Sequence, residues 1–284
     1  MLLNLCRHYA DAHADRNGAV MTPVPGLTLV RALHPGELQI AVNKPLIAIA
    51  LQGRKRVTFG AESHDYGAGE ALVISADVPT LSQITKASPA EPYYALVLEF
   101  DPAILRDLAQ RGGNSDAISV RIEPVDADVV DAAHRLVRLL DRPEALGALG
   151  GGLLRELHYW LLIGRHGSAI RGLGRVDCHA GRVARAVEHI RQNYAEPVRI
   201  CDLARIAHMS EPAFHAHFKA ITTLTPLQFQ KQLRLIEARR QMLSEGRSIA
   251  VASGNVGYAS VQQFTRDYGR LFGTTPGRDM REVA

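Results

Sequence analysis

Apolar positions near the C-terminus follow a four-residue spacing that occurs twice. Phe214 and Phe218 follow Ser210, and Phe264 and Tyr268 follow Ser260, fifty residues further on. Aromatics at i and i+4 share one face of a helix, so each copy predicts a helix that buries one side and presents the other. A shorter helical segment precedes each: Ile200 to Ala207, and Ser248 to Ala252. Short helix, tight turn and second helix with an outward polar face form a helix-turn-helix, here in tandem.

The same pattern continues around them. Val183, Val187, Ile190 and Tyr194 form a stripe that ends at Glu196-Pro197. Thr225-Pro226 opens a helix with Phe229, Leu233, Ile236 and Leu243 on its core side, closed by Gly246. About 19 residues span roughly 28 Å, close to the ~34 Å between successive major-groove faces, so this helix can hold two reading units in register. Thr275-Pro276 repeats the start signal.

The N-terminal half has a different texture. Leu27–Arg31, Leu46–Leu51, Lys55–Phe59, Ala71–Ser75 and Tyr94–Phe100 are short β-branched or alternating runs, punctuated by Gly and Pro. Such spacing predicts a sandwich or barrel, of a size that suits a small jelly roll. Residues 1–17 read as a short polar helix or lead-in and 102–111 as a short helix. Residues 126–140 carry Val129, Ala133, Leu136 and Leu140 on one stripe, and Asp141-Arg142-Pro143 breaks the pattern. Residues 146–163 are apolar on nearly every turn, through Leu149, Leu153, Leu154, Leu157, Trp160 and Leu161. So broad an apolar surface needs more than one neighbour: it packs on the β domain, or part of it pairs two subunits, and pairing is the preferred expectation. The glycine-rich segment 164–177 reads as a linker.

Charge changes the picture only once the chain is divided. Residues 171–284 carry 17 Lys+Arg against 10 Asp+Glu, whereas residues 1–170 carry 16 against 19. The basic excess sits with the repeats, where cations near phosphates would release condensed counterions. A 46% hydrophobic, 22% charged chain of 284 residues has room for two domains with separate cores. No apolar run approaches the ~20 residues of a membrane span. The N-terminus lacks the look of a signal peptide, so a cytoplasmic protein is expected. Cys6, Cys178 and Cys201 are too few and too scattered for a disulfide framework or a structural zinc site.

At this point the residues resemble a known family. Leu203-Ala204, Ala207, Met209-Ser210, Phe214, Phe218-Lys219, Thr225-Pro226, Arg234-Leu235 and Ala238 are similar to the first helix-turn-helix and connecting helix of AraC-type transcriptional regulators. Val256-Gly257-Tyr258, Ser260, Phe264, Arg266 and Phe272-Gly273 through Pro276 resemble that family's C-terminal signature. Pro45, Leu51 through Val57, and Pro79 through Tyr93 resemble the β-rich N-terminal domain of one subgroup.

The resemblance implies an α+β multidomain protein. A cupin-like jelly-roll regulatory domain would occupy 1–110, a helical dimerisation element 111–165 and a linker 166–177. An all-α DNA-binding domain would fill 178–284, with helix-turn-helix units at 200–221 and 248–272. It also implies that some members respond to small-molecule effectors. Double-stranded promoter DNA, a second copy of the chain, and RNA polymerase if the protein activates are the expected partners; no membrane and no cofactor are.

On the outward faces, Glu211, Pro212, His215, Ala216 and Lys219 in the first unit and Val261, Gln262, Thr265, Arg266 and Arg270 in the second are the expected DNA contacts. Residues early in a reading helix reach base edges and later ones phosphates. Arg266 could grip guanine with both guanidinium arms, against a phosphate contact or a surface ion pair with Asp267, and Gln262 could pair with adenine. Lys231 is a further cationic candidate. Ser210 and Ser260 start helices whose free amides suit a phosphate, and Ser260 to Gln263 fits a capping box. Ala216 stands where many members carry a long polar residue, so the first unit would lean on His215, Glu211 or groove shape.

Two enzyme readings are weaker. A metal-dependent jelly-roll enzyme needs clustered His and Glu, but the strands offer only His34 and His64 with Glu62 and Glu70 nearby. His215 and His217 diverge by ~200° on a helix. Repair chemistry through Cys201 lacks a Pro-Cys-His-Arg pattern, and a small buried residue is expected there. The basic group Gln52, Arg54, Lys55 and Arg56 could meet an anionic effector or be a solvated hairpin tip. Alternation puts Arg54 and Arg56 on one face and Lys55 on the other, and no effector-binding residue is assigned.

Overall fold

In the computed structural model the described residues are 1–15, 18–36, 39–59, 62–108, 120–174 and 179–283. They divide into two compact units, Met1–Gly181 and Arg182–Ala284.

The first unit opens with α1 (Leu2–His13), β1 (Ala19–Met21), β2 (Leu27–Ala32), β3 (Gln39–Asn43), β4 (Leu46–Gln52) and β5 (Arg54–Phe59). Then come β6 (Glu62–Gly67), β7 (Glu70–Ile74), β8 (Val78–Lys86), β9 (Tyr93–Glu99), α2 (Pro102–Leu108) and β10 (Val120–Pro124). It closes with α3 (Ala127–Val137), α4 (Pro143–Ile163), α5 (Gly167–Ile170) and a single 3₁₀ turn, Arg171–Gly174. The strands form two antiparallel sheets, ordered β1-β2-β9-β4-β7-β10 and β3-β8-β5-β6.

Alternation along β4 assigns the layers. Leu46, Ala48 and Ala50 pack with Val57, Phe59 and Tyr66 of the smaller sheet, whereas Ile47 and Ile49 join the helices. The helical layer is Leu2, Cys6, Tyr9 and Ala10 of α1, Val129, Ala132, Ala133 and Leu136 of α3, and Leu154, Leu157 and Leu161 of α4. At ~1.5–3 kcal/mol for each large buried aliphatic side chain, these stripes hold the three helices to the sheet. Most of this apolar surface is therefore covered within the unit. Cys6 is sealed here, and burial pushes its thiol up to about 12.

The break expected at Asp141 to Glu144 falls between α3 and α4, and Pro143 opens α4, because proline at the first helical position gives up only an amide that has no partner there. Two expectations need correction. The span 111–165 includes a strand, β10, paired to β7; its first residues, 111–119, lie outside the described residues. The linker 166–177 is folded as far as Gly174, with His166 and Ile170 both fully buried. Gly167 is there for contact rather than flexibility: a Cβ would meet the Leu162 carbonyl oxygen at 2.0 Å. Residues 175–177 of that linker are outside the described set.

The second unit is helical: α6 (His179–Gln192), α7 (Ile200–Ile206), α8 (Glu211–Thr222), α9 (Pro226–Glu245), α10 (Ile249–Asn255), α11 (Val261–Phe272) and α12 (Pro276–Val283). Among the described residues no helix is long and apolar enough to cross a membrane.

Candidate nucleic-acid interface

Each reading helix starts on a side-chain cap. Ser210 Oγ accepts from the Ala213 amide and Ser260 Oγ from the Gln263 amide, both at 3.4 Å. Ser260 thus supplies one half of the expected capping box. The full reciprocal box forms at Thr225, whose hydroxyl accepts from the Gln228 amide while the Gln228 side chain accepts from the Thr225 amide. The turns before α8 and α11 each contain one left-handed residue, His208 at φ 51° and Gly257 at φ 83°.

The aromatic pairs are core, as their spacing predicts. Phe214, Phe218, Phe264 and Tyr268 are all fully buried. Phe214 meets Phe218 at 5.4 Å between ring centroids, and Phe218 meets Phe229 of α9 edge-on at 5.6 Å. On the far side, α9 lends Leu235, Ala238 and Met242 to the core that holds Phe264 and Tyr268. Ile236 and Leu243, expected on the core side, are only half-buried. The connecting helix therefore serves both units from different faces. At 20 residues it is roughly 30 Å long.

The opposite faces of α8 and α11 are open. Glu211, Pro212, His215, Ala216 and Lys219 are exposed, as are Val261, Gln262, Arg266 and Arg270, while Thr265 is half-buried. Among the described residues Arg266 forms no ion pair. Its expected competitor, Asp267, has a 3% exposed side chain bonded to Lys231 at 2.8 Å, with Arg270 at 4.0 Å. Lys231 is thus committed to α11 and is not a free phosphate contact. Cys201 is exposed rather than buried.

Two positioning groups could not be read from local pattern. Arg234 of α9 donates to the carbonyl oxygens of Tyr194 at 2.6 Å, Ala195 at 3.0 Å, Glu196 at 3.1 Å and Gly257 at 3.0 Å. One guanidinium thereby ties the turn after α6 to the turn before α11, across 23 to 40 residues of sequence. Arg239 grips Asp279 of α12 with two bonds, at 2.7 and 3.1 Å, and Tyr268 donates to the same carboxylate. Burial works against the Asp279 charge, yet these donors hold its carboxyl below the usual value. Only Arg234 stood in a recognisable motif, and nothing in its neighbours named its partners.

No group of three or more His, Cys, Asp or Glu among the described residues is arranged to hold a metal ion. His64 stacks on Phe59 and pairs with Glu62 on a hairpin surface.

Comparison with known proteins agrees with this geometry. Residues 203–282 match a helix-turn-helix domain model. RclR of Escherichia coli, an RCS-specific HTH-type transcriptional activator, is 40% identical over 81 residues, covering 28% of this chain and 28% of its own. A probable thc operon regulatory protein of Rhodococcus erythropolis is 27% identical over 260 residues, covering 85% of this chain and 75% of its own. Unsaturated-fatty-acid-bound ToxT from Vibrio cholerae shares the fold at 9% identity and a TM-score of 0.57, covering 90% of this chain and 96% of ToxT. Residues 23–169, just over half of the chain, match the AraC-type transcriptional regulator N-terminus, and the chain belongs to the AraC-type transcriptional regulators.

Proposed function

We propose that this chain is a sequence-specific transcription regulator that inserts α8 and α11 into adjacent major-groove segments of promoter DNA. The observation that carries the proposal is the pair of serine-capped helices, each with a buried aromatic face and an exposed polar one, built on opposite faces of α9. Arg266 is the leading base reader, since its neighbouring carboxylate is already occupied. Gln262, Thr265 and Val261 complete the face of the second unit, with Arg270 on phosphate. Glu211, Pro212, His215, Ala216 and Lys219 read or anchor the first.

In this reading the two-sheet domain is a cupin-like jelly roll that senses a small molecule. The protein works in the cytoplasm as a homodimer, and meets RNA polymerase where it activates. Dimerisation is supported by exposed Leu149, Tyr159 and Ile163 of α4, which lie within roughly 80° of one another around the helix axis. A catalytic role has no comparable support.

Fragments captured by the full chain from genomic DNA at fixed salt test the reading. Enrichment of a shared sequence in promoter regions is expected, with affinity falling steeply as salt rises. Capture without any shared sequence would contradict it.

A further inference from the structure

Two kinds of contact hold α11 against α9, and they act in different places. The rings of Phe264 and Tyr268 share one line along α11 and pack with Leu235, Ala238 and Met242 in the second half of α9. Beside the first half of α9 a groove of about 280 Å³ opens instead, with Leu227 and Lys231 on one wall and Gln263 and Asp267 on the other. A line of buried rings fixes how far α11 lies from α9. It leaves the rotation of α11 about its own axis to whatever bridges the groove.

An ion pair bridges it. Lys231 Nζ meets Asp267 Oδ1 at 2.8 Å, and among the described residues this is the one ion pair between the two helices. The Asp267 carboxylate is buried, and its second oxygen has no hydrogen-bond partner among the described residues. A buried charge that loses its partner seeks another. Without Lys231 the carboxylate would be left to Arg270, 4.0 Å away and on the exposed side of α11.

Asp267 follows Arg266, so the two side chains leave the helix about 100° apart. The tie is therefore set to one side of the direction in which Arg266 points, where it controls rotation rather than distance. With the guanidinium roughly 6 Å from the helix axis, a rotation of about 10° moves it by about 1 Å. Recognition geometry tolerates only about 0.5 Å.

We propose that Asp267 and Lys231 are positioning residues for base readout: their ion pair sets the rotation of α11 on α9, and with it the direction in which Arg266 meets a base edge. This rests on reading α8 and α11 as the DNA-contacting helices, and it adds a specificity determinant that touches no DNA.

Full-length wild-type chain, Lys231→Gln, Lys231→Arg, Asp267→Asn and the Lys231→Gln, Asp267→Asn pair each select from random duplexes at one salt concentration. Affinity for the wild-type preferred duplex and for an unrelated duplex is then followed over a range of salt. Lys231→Gln and Asp267→Asn should each weaken the preferred duplex by about tenfold and blur the element read by α11. The unrelated duplex, the salt slope and the element read by α8 should not change. The paired variant should be no weaker than either single one, and Lys231→Arg should keep the wild-type preference. An equal loss on both duplexes with a salt slope smaller by about one would make Lys231 a phosphate contact and overturn the proposal. Tighter binding of Asp267→Asn to both duplexes overturns it too, as does a loss at both elements alike, the mark of a general structural role. Wild-type selection without any shared sequence sinks the regulator reading, whereas an intact α11 element in Lys231→Gln sinks this inference alone.

Discussion

Gly257 shows how much of the site rests on single atoms. Its φ of 83° is left-handed, and a Cβ there would meet the Ala195 carbonyl oxygen at 2.1 Å, inside the cage that Arg234 builds. Gly257→Ala should cost about 3 kcal/mol or more in chemical denaturation, because backbone strain and a clash with backbone add. His158 and His166 make a separate prediction. Burial holds both below the ordinary histidine value of 6.5. His158 is satisfied as a neutral ring, donating from Nδ1 to Leu154 O at 2.8 Å and accepting at Nε2 from the Asp101 amide at 3.1 Å. As pH falls through 6.5 the unfolded chain takes up protons that the folded one refuses, so stability should drop on the acid side. Melting followed from about pH 8 to about pH 5 checks this, and a flat profile would contradict neutral burial. At this scale the outward set on α8 and α11 was legible because i, i+4 aromatics fix which side is buried. The ties of Arg234, Asp279 and Lys231 were not, because their partners stand far away in sequence.

Helix starts carry an explicit local code, and they were read well. Thr225 with Gln228, Ser248 with Val251, and Ser210 with Ala213 are each a hydroxyl before a run of helix formers. Thr225→Ala should cost ~1 kcal/mol of stability in denaturant melts, since it opens the capping box at the head of α9. Helix ends and connections were harder. The glycine-rich stretch after α4 reads as flexible, yet Gly167 is small so that α5 can press against Leu162, and Ile170 reaches the core. Strands β3, β6 and β8 went unread because they face a mixed interior. There Asn43 donates to Thr80 at 2.6 Å, and Lys55 stands beside Tyr66, so clean apolar alternation is lost.

For the whole molecule, composition pointed to two functional halves, with the basic excess beside the paired helices. The α4 face gives the assembly prediction. Leu149→Glu combined with Ile163→Glu should convert a dimer to monomers in sedimentation without unfolding either unit, since both side chains are exposed. A variant that stays dimeric moves the pairing surface elsewhere.

The account turns on α8 and α11 reading adjacent stretches of one duplex, and base-resolved site selection tests this most directly. Wild-type chain, Arg266→Ala and Glu211→Ala with His215→Ala are each used to select from random duplexes at one salt concentration. The wild-type chain should yield two short preferred elements about one helical turn apart. Arg266→Ala should cost ~1–3 kcal/mol and erase preference at one base pair of one element, with the double variant acting on the other. A single element, or an even loss over all sequences from Arg266→Ala, would contradict it.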